Sequence, residues 1–478
     1  MIDIFEGSAR DKFYDILFNA NVLLVKNEID KTFRLDAEHY RKKYQISISK
    51  LSNLTTQRLG SLLSIPVCTG HTPSMQNDSF YGGSVKFIKT DNVRENKITD
   101  FFTDYLSDKG ASELKKSNLI SGDVITTIIG ATYDIVGRTA MVTDELLPAN
   151  INQNIALIRC NSNKINPYFL NCYLNTYIGR SMLHCHSRQT EQVNLNCREV
   201  EQVLVPIFNN EFQKFIEELY KKSEKIILDS KIAYQSAQDL LLDYLGLKDF
   251  NPPAQKVNIK SFVDSFGTSG RLDAEFYQEK YDVLIQKMKS QEYDELQNLV
   301  SIKKSIEPGS SAYDEQGLPF IRVSDYDKFQ ISSPAKYLSD ACCQEYCETL
   351  KNLQPKKGTI LFSKDGTVGI AHLLSEDLSG ITSGAILHLK VKDKRVLPEY
   401  LTLVLNSLAV QWQAERDVGG SIIQHWRIEE IKEVVIPIIS MEIQTQIADL
   451  IRQSDRLRQE SQALLEEAKR KVEQAIEG

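Results

Sequence analysis

The sequence lacks any apolar run that approaches the roughly 18–20 residues needed to cross a bilayer. Its first residues, Met1-Ile2-Asp3-Ile4-Phe5-Glu6, contain neither a basic stretch nor an apolar one, which disfavours a secretion signal. The 8 cysteines are spaced irregularly over 478 residues, so we expect reduced thiols rather than a disulfide framework. These absences predict a cytoplasmic protein.

Several catalytic motifs are missing as well. No Gly-Lys dipeptide occurs, which excludes a Walker A phosphate loop, and neither a Gly-x-Gly-x-x-Gly after a strand nor a Gly-x-Ser-x-Gly elbow is present. Asn251-Pro252-Pro253-Ala254 resembles the motif with which adenine-N6 methyltransferases hold a flipped base, but an alanine cannot stack on a base. We interpret it as a linker and predict a chain without a catalytic centre.

Histidine and cysteine are too scattered to predict a metal centre. His184-Cys185-His186 has no second ligand pair at tetrahedral spacing, and Cys342, Cys343 and Cys347 lack a partner cluster. We interpret the first group as part of a flexible basic loop and expect no metal or cofactor bound by this chain.

The charge balance also excludes one class of function. With 57 basic and 64 acidic residues the formal net charge is −7, which argues against coating of nucleic acid by bulk charge. Local basic patches remain compatible with DNA binding.

The chain contains a long internal repeat. Residues 34–44 (Arg-Leu-Asp-Ala-Glu-His-Tyr-Arg-Lys-Lys-Tyr) return at 271–281 (Arg-Leu-Asp-Ala-Glu-Phe-Tyr-Gln-Glu-Lys-Tyr), and Val205-Pro206-Ile207 returns as Ile436-Pro437-Ile438. The offset falls from 271 − 34 = 237 to 436 − 205 = 231, as small loop deletions in one copy would produce. The sequence therefore predicts a tandem duplication, too long a unit for a solenoid.

Each copy consists of two parts. Short strand-like runs bounded by Gly, Asp and Pro fill about 50–207 and 290–438, and each of these regions contains a helical stretch after a proline. A long helix without Pro or Gly follows each of them. Its apolar and small residues recur every three or four positions in matched phase, which favours packing of the two helices on each other. The predicted seam comprises Leu219, Ile226, Ala233, Leu450, Leu457 and Leu464.

The loops between the strands are the functional candidates. Amide and arginine side chains read base edges, and arginine or lysine neutralises phosphates. The candidate DNA-contacting residues are Thr69, His71, Thr72, Ser74, Lys89, Thr90, Asn92, Arg188, Gln189, Thr190 and Gln192 in the first copy, and Arg322, Ser324, Lys364, Gln424 and His425 in the second.

The order of these parts resembles the specificity subunit of type I restriction–modification systems, from about residue 34 to the end. The motifs that carry the resemblance are Gly70-His71-Thr72-Pro73-Ser74, Tyr81-Gly82-Gly83, Phe87-Ile88, Gly366-Thr367-Val368-Gly369 and Gly420-Ser421-Ile422-Ile423-Gln424. Three regions depart from the family pattern: 187–192 lacks the Gly-Ser pair, Glu307-Pro308-Gly309-Ser310-Ser311 replaces Gly-x-Thr-Pro-Ser, and 1–33 has no family motif.

The resemblance implies an α+β fold built as a tandem duplication of a strand-rich α/β target recognition domain plus a long helix, the two helices pairing as an antiparallel coiled coil. The expected boundaries are an N-terminal segment (1–49), recognition domain 1 (50–207), a central long helix (208–250), a linker and repeat start (251–289), recognition domain 2 (290–438) and a C-terminal long helix (439–478).

The implied function is that of a prokaryotic, non-catalytic subunit that reads double-stranded DNA with a bipartite site. Two methyltransferase (modification) subunits, which bind S-adenosylmethionine, and restriction (motor/nuclease) subunits are the implied partners. A helix of some 35 residues is about 50 Å long, which limits the spacing of the two half-sites to about fifteen base pairs. Two alternatives stay open: a metal-dependent nuclease that uses Cys and His residues, and a scaffold protein that does not bind DNA.

Overall fold

The computed structural model describes residues 39–478 except 100, 190–191, 253–256, 315, 335 and 419–423. Residues 34–38 of the first repeat motif, Thr190 and 420–423 of the predicted loops therefore lie outside the described residues. The described residues form two compact units, one within 1–226 and 459–478 and the other within 227–458. In the described part of the chain, no helix is both long and apolar enough to span a membrane.

Among its described residues, the first unit has five short α-helices and fourteen short strands before its share of the long helices. Its helices are α1 (Lys42–Ser52), α2 (Asp108–Glu113), α3 (Pro167–Asn175), α4 (Tyr177–His186) and α5 (Cys197–Glu201). Its strands are β1 (Thr56–Arg58), β2 (Cys68–Thr69), β3 (Tyr81–Ile88), β4 (Val93–Arg94), β5 (Lys97–Ile98), β6 (Tyr105–Leu106), β7 (Val124–Thr127), β8 (Ile129–Gly130), β9 (Thr139–Met141), β10 (Ala149–Ile151), β11 (Ile155–Ile158), β12 (Arg188–Gln189), β13 (Val193–Asn194) and β14 (Leu204–Pro206).

A long helix, α6 (Asn210–Tyr244), follows, and the second unit repeats the pattern. Its helices are α7 (Phe266–Ser269), α8 (Glu279–Lys289), α9 (Leu296–Leu299), α10 (Asp340–Glu345), α11 (Cys347–Leu353), α12 (Pro398–Leu405), α13 (Leu408–Asp417) and α14 (Ile428–Lys432), before the long C-terminal helix α15 (Met441–Glu477). Its strands are β15 (Tyr293–Glu295), β16 (Val300–Lys304), β17 (Tyr313–Asp314), β18 (Leu318–Ile321), β19 (Tyr337–Leu338), β20 (Ile360–Ser363), β21 (Ala371–Leu373), β22 (Ile381–Thr382), β23 (Ile386–Val391) and β24 (Val435–Pro437).

The sheets of the two units have corresponding topologies. The order β2-β11-β7-β9 in the first unit corresponds to β16-β23-β20-β21 in the second, and both sheets are antiparallel throughout. The order β10-β3-β6 corresponds to β22-β18-β19, with one parallel and one antiparallel pair in each. The pair β1–β14 corresponds to β15–β24. The predicted tandem duplication with an α+β fold is confirmed.

One glutamine in each unit makes the same pair of hydrogen bonds. The Gln213 side chain accepts a hydrogen bond from the backbone N–H of Asn166 (2.9 Å) and donates to the Phe208 carbonyl (2.9 Å). Gln444 accepts from Leu397 N–H (2.9 Å) and likewise donates to a carbonyl before its own helix. Each amide thus joins the start of a long helix to the residue before a proline-initiated helix, α3 or α12, and satisfies backbone groups that a helix start leaves exposed.

The two long helices belong partly to each unit and run antiparallel. In the first unit Ile216 of α6 lies in one core with Ala468 and Val472 of α15. In the second unit Leu241 of α6 shares a core with Ile447 of α15. The predicted antiparallel coiled coil is therefore confirmed. Of the six predicted seam residues, Ile226, Ala233 and Leu464 are buried, whereas Leu219, Leu450 and Leu457 are half-buried.

Candidate nucleic-acid interface

Parallel strands organise the loops of the first unit. β10 pairs parallel with β3, with Ile151 opposite Ile88, so both strands end at the same edge. The backbone N–H of Asn152 donates to the Ile88 carbonyl (3.1 Å) and holds the two exits together. Lys89, the residue after β3, therefore starts its loop beside the loop that follows β10.

A second loop is attached to this edge through Gly70. A Cβ on Gly70 would lie 1.7 Å from the Ile151 carbonyl oxygen, so only glycine allows this approach of the two backbones. Thr72 Oγ1 donates to Gln153 Oε1 (2.6 Å) and ties the loop to the residues after β10. Thr69 is half-buried at the strand end, whereas His71, Thr72 and Ser74 are exposed.

A third loop joins the same region through backbone hydrogen bonds. Ile128 N–H donates to the Asn154 carbonyl (2.8 Å), and Leu195 N–H donates to the Ile128 carbonyl (2.8 Å). These bonds place the β12–β13 hairpin next to β8, and the hairpin presents Arg188 and Gln192 to solvent. Only the backbone of Gln189 is described.

The second unit builds an equivalent edge. β22 pairs parallel with β18, and the N–H of Ser383 donates to the Ile321 carbonyl (2.8 Å). Lys364 N–H donates to the Ala385 carbonyl (2.9 Å), and Trp426 N–H donates to the Lys364 carbonyl (2.8 Å). These bonds repeat those of Asn152, Ile128 and Leu195. We call these two regions the first and second reading edges. The first comprises residues 69–74, 89–92, 128–130, 152–154, 188–189 and 192–195, and the second comprises residues 322–325, 364–366, 383–385 and 424–426.

The loop of the second reading edge that contains Gly366 is held by hydrogen bonds to residues 424–425. Gly366, with φ +77°, donates its N–H to the Gln424 carbonyl (2.9 Å). His425 Nδ1 lies 2.9 Å from Asp365 Oδ1. Gln424 and His425 are both exposed, so this pairing leaves an amide and an imidazole at the surface.

The cations of the predicted sites all carry acidic partners. Lys89 pairs with Asp104, and that hydrogen bond is the main reason why the pKa of the Asp104 carboxyl lies below its usual range. Lys364 likewise pairs with Asp365. The remaining pairs are Arg188 with Glu199 (2.8 Å) and Arg322 with Asp325 (3.4 Å). A phosphate group that contacts any of these cations would therefore share the cation with a carboxylate or replace it.

The remaining candidates support the loops rather than project from them. Asn92 is buried; it accepts from Lys89 N–H (2.8 Å) and donates to the Phe101 carbonyl (2.7 Å). Asp325 accepts from Arg322 N–H (2.9 Å) in the same way, so this position stabilises a turn in both units. Thr90 is half-buried, and exposed Ser324 donates its hydroxyl to Asp325 Oδ1 (3.1 Å). We leave Asn92 out of the proposed contact surface because its amide is engaged inside the turn.

The interpretation of residues 184–186 as a flexible basic loop is wrong. These residues form the last turn of α4. His184 Nε2 hydrogen-bonds the Val136 carbonyl (2.8 Å), and burial lowers the pKa of this imidazole to about 4, so it is neutral at pH 7. The α-helix forms because Thr176 accepts the N–H of Gly179 (3.0 Å) and caps its first turn.

The comparisons with known proteins define the class. Residues 286–470 match the type I restriction modification DNA specificity domain. This part of the chain, a strand-rich globule followed by most of α15, is therefore similar to that family of DNA specificity domains. The resemblance predicted from the sequence is confirmed.

Two solved structures are similar to most of the chain. The type I restriction–modification S subunit from M. genitalium is 11% identical, covers 89% of this chain and 95% of its own, and has a TM-score of 0.37. The HsdS subunit from Thermoanaerobacter tengcongensis is 18% identical, covers 87% of this chain and 96% of its own, and has a TM-score of 0.29. No curated protein matches the sequence.

Proposed function

We propose that the chain is the specificity subunit of a type I restriction–modification complex and that each reading edge contacts one half of a bipartite DNA target. The observation that carries the proposal is the repetition of one backbone arrangement. The family match covers residues 286–470, which include the second reading edge. The first reading edge lies before these residues, yet it is built from the same strand pairs and hydrogen bonds.

The side chains at the two edges suit different half-sites. The first edge exposes His71, Thr72 and Gln192, whereas the second exposes Gln424 and His425. Amides and imidazoles donate and accept hydrogen bonds at base edges in the major groove, so unlike side chains on like backbones recognise unlike sequences. The bases between the half-sites are not read.

The partner that carries S-adenosylmethionine docks on the outer face of a long helix in this proposal. Leu228 and Ile232 are one turn apart on α6 and are 43% and 56% exposed. Since these two apolar side chains are neighbours on the helix, the proposal takes them as the centre of the interface. The chain itself is proposed to contribute recognition and no catalytic group, and restriction subunits complete the assembly.

An exchange of recognition domains tests the proposal. Residues 50–207 are replaced by the corresponding region of a relative with a different target, and the methylated sites of the host genome are sequenced. We expect one half-site to change and the other to stay. The matched exchange of 290–438 should change the other half-site. A change of both half-sites, or of neither, in either exchange would contradict the proposed division.

Partner docking is tested separately. Leu228→Asp with Ile232→Asp should abolish co-purification of the methyltransferase subunit, because two charges would be buried in an apolar contact. Lys222→Asp changes an exposed residue on another face of α6 and should leave co-purification intact. Equal yields of complex from all three proteins would exclude this face as the docking site.

A further inference from the structure

Three potential metal ligands come together in the first unit. His39, Cys185 and His186 each offer a ligand atom, and these atoms all lie within 4.8 Å of one another. Cys185 and His186 end helix α4, whereas His39 lies just before α1. His39 and Cys185 are buried and His186 is half-buried. Since 146 residues separate the histidine from the cysteine, the fold, and not a local sequence motif, assembles the group.

The hydrogen bonds around this group orient its donor atoms. His39 Nδ1 lies 2.5 Å from the Cys185 carbonyl, which can only accept, so this nitrogen donates, and in the neutral imidazole the lone pair is then on Nε2. A metal-binding histidine typically donates its other N–H to a carbonyl in this way. The Cys185 thiol donates to the Met182 carbonyl (3.2 Å), and its proton is the one that a metal ion would displace into solvent.

In the second unit, the residues that correspond to His39, Cys185 and His186 contact one another through a different set of interactions. The repeat offsets make Phe276 the counterpart of His39, and Arg416 and Asp417 the counterparts of Cys185 and His186. The Phe276 ring lies 4.5 Å from the Arg271 guanidinium and 5.3 Å from that of Arg416. Arg416 also pairs with Asp417 (2.6 Å). A cation–π and ion-pair cluster thus links the start of one helix to the end of another, where the first unit has three metal ligands instead.

We propose that His39, Cys185 and His186 bind one zinc ion, with a water molecule as the fourth ligand. A thiolate with two imidazoles is a donor set for zinc or a similar transition metal, and it does not suit Mg²⁺ or Ca²⁺, which prefer oxygen ligands. Binding exchanges the thiol proton for the metal ion, and no group is oxidised or reduced. The ion would tie the segment before α1 to the end of α4, because its three ligands come from these two places within one unit.

The proposed site has a direct consequence for the first reading edge. Ser187 follows His186, and β12, with Arg188, begins at the next residue. A metal ion at the end of α4 therefore fixes the point from which the 188–194 hairpin starts.

Metal analysis of the full chain, purified without a histidine tag, tests the proposal. After equilibration with excess zinc and gel filtration, we expect one zinc ion per chain, measured by mass spectrometry. Cys185→Ser, His186→Gln and His39→Phe, which installs the residue of the second unit, should each reduce zinc to background. Cys197→Ser, a half-buried cysteine 12 residues further along, should retain the full content.

Cobalt substitution keeps the test independent of how well the variants fold. The cobalt-loaded wild-type chain should show the thiolate-to-cobalt charge-transfer absorption in the near ultraviolet, and Cys197→Ser should show it too. Hydrogen exchange in residues 187–194 should be faster in the metal-free wild-type chain than in the zinc-loaded one. A wild-type chain without zinc or without the charge-transfer band, or equal zinc in wild type and Cys185→Ser, would overturn the proposal.

Discussion

The hydroxyl groups of Ser230 on α6 and Ser454 on α15 lie 2.9 Å apart, and each is also within hydrogen-bond distance of the other residue's backbone carbonyl (2.9 and 3.0 Å). Ser223 and Ser461 make the same reciprocal contact, with 2.8 Å between the hydroxyl oxygens. All four side chains are buried. Because these short polar residues fit only opposite each other, the two pairs fix the register in which the helices associate.

We expect Ser454→Ala to lower the free energy of unfolding by about 1 kcal/mol, since it leaves the buried Ser230 hydroxyl with one partner fewer. Ser454→Leu should cost more, about 1–3 kcal/mol, because the helices approach too closely for a larger side chain. The measurement is urea unfolding. The double variant Ser230→Ala with Ser454→Ala should cost less than the sum of the single changes, and strict additivity would show that the two hydroxyls do not interact.

The pairing of the long helices could be predicted from the sequence. Which of their residues face the interface could be predicted only in part. Copying the seam by the repeat offset places Leu450 and Leu457 in the interface, yet the structure half-buries both and buries Gln444, Ala448 and Ile451 instead. The reason is that α15 packs on two surfaces at once. Near its start it packs on the globule of the second unit, to which Gln444 donates at the Arg395 carbonyl (2.8 Å). A spacing of apolar residues by three and four positions predicts only the contact between the two helices, and not the contact of α15 with the globule.

This difference in burial gives a direct comparison. Ile447 is fully buried in the core of the second unit. Ile447→Ala should therefore lower the free energy of unfolding by about 2–5 kcal/mol. Leu457→Ala should cost clearly less, because its side chain already contacts water in the folded state. The midpoints of urea unfolding measure both. Equal losses would show that Leu457 is as buried as the sequence pattern predicts.

The Gly70 backbone lies so close to the Ile151 carbonyl that even a methyl side chain at position 70 should destabilise the protein. In Gly70→Ala the new methyl group would meet the Ile151 carbonyl oxygen at 1.7 Å, so the loop must move away from the edge. We expect a loss of stability of about 1–3 kcal/mol and a weakened first half-site. Gly309→Ala is the control, because its nearest atom is Ser311 Oγ at 3.9 Å and its φ of −64° suits alanine. Thermal unfolding of both variants decides the comparison.

The reading edges were foreseeable as loops, but not as assembled sites. The strand ends with Lys89 and Arg322 are visible in the sequence because turn residues follow apolar runs there. Gln153 was missed, since it is linked to Thr72 only through a contact across 81 residues. The acidic partners of the lysines and arginines were missed as well, because ion pairs depend on side-chain placement in the folded chain. A repeat reveals topology, whereas non-local contacts determine the chemistry of each loop.

Asp455 gives the protein a pH dependence of defined sign. Burial raises the pKa of its carboxyl to about 6, and Arg458 opposes this effect in part while Glu399 adds to it. Between about pH 4 and 6 the folded chain therefore holds a proton that the unfolded chain has lost, and this contribution to stability is lost as the pH rises through 6. At neutral pH we expect Asp455→Asn to be more stable than wild type, by on the order of 2 kcal/mol.

The informative quantity is the difference in the free energy of unfolding between Asp455→Asn and wild type at each pH. The pKa values of His184 and His388 are lowered to about 4 by burial, so these residues make the whole chain more stable as the pH rises over a similar range. Unfolding of both proteins at pH 4.5 and pH 7.5 should show a clearly larger advantage of Asp455→Asn at the higher pH. An equal advantage at both values would exclude titration of Asp455 as its cause.

On the proposed function, we expect the pair Lys364–Asp365 to set the salt dependence of DNA binding at the second reading edge. If Lys364 exchanges its carboxylate for a phosphate, Lys364→Ala should weaken binding to all sequences alike and reduce the slope of log K against log salt by about 1. Asp365→Asn removes the competing charge near Lys364 and His425, so it should tighten binding and steepen that slope. Binding is measured on the assembled methyltransferase complex over a series of salt concentrations. Lys357→Ala is the matched control, because this exposed lysine precedes β20 while Lys364 follows it. Weaker binding by Asp365→Asn, or an equal effect of Lys357→Ala, would show that Lys364 does not contact the DNA backbone.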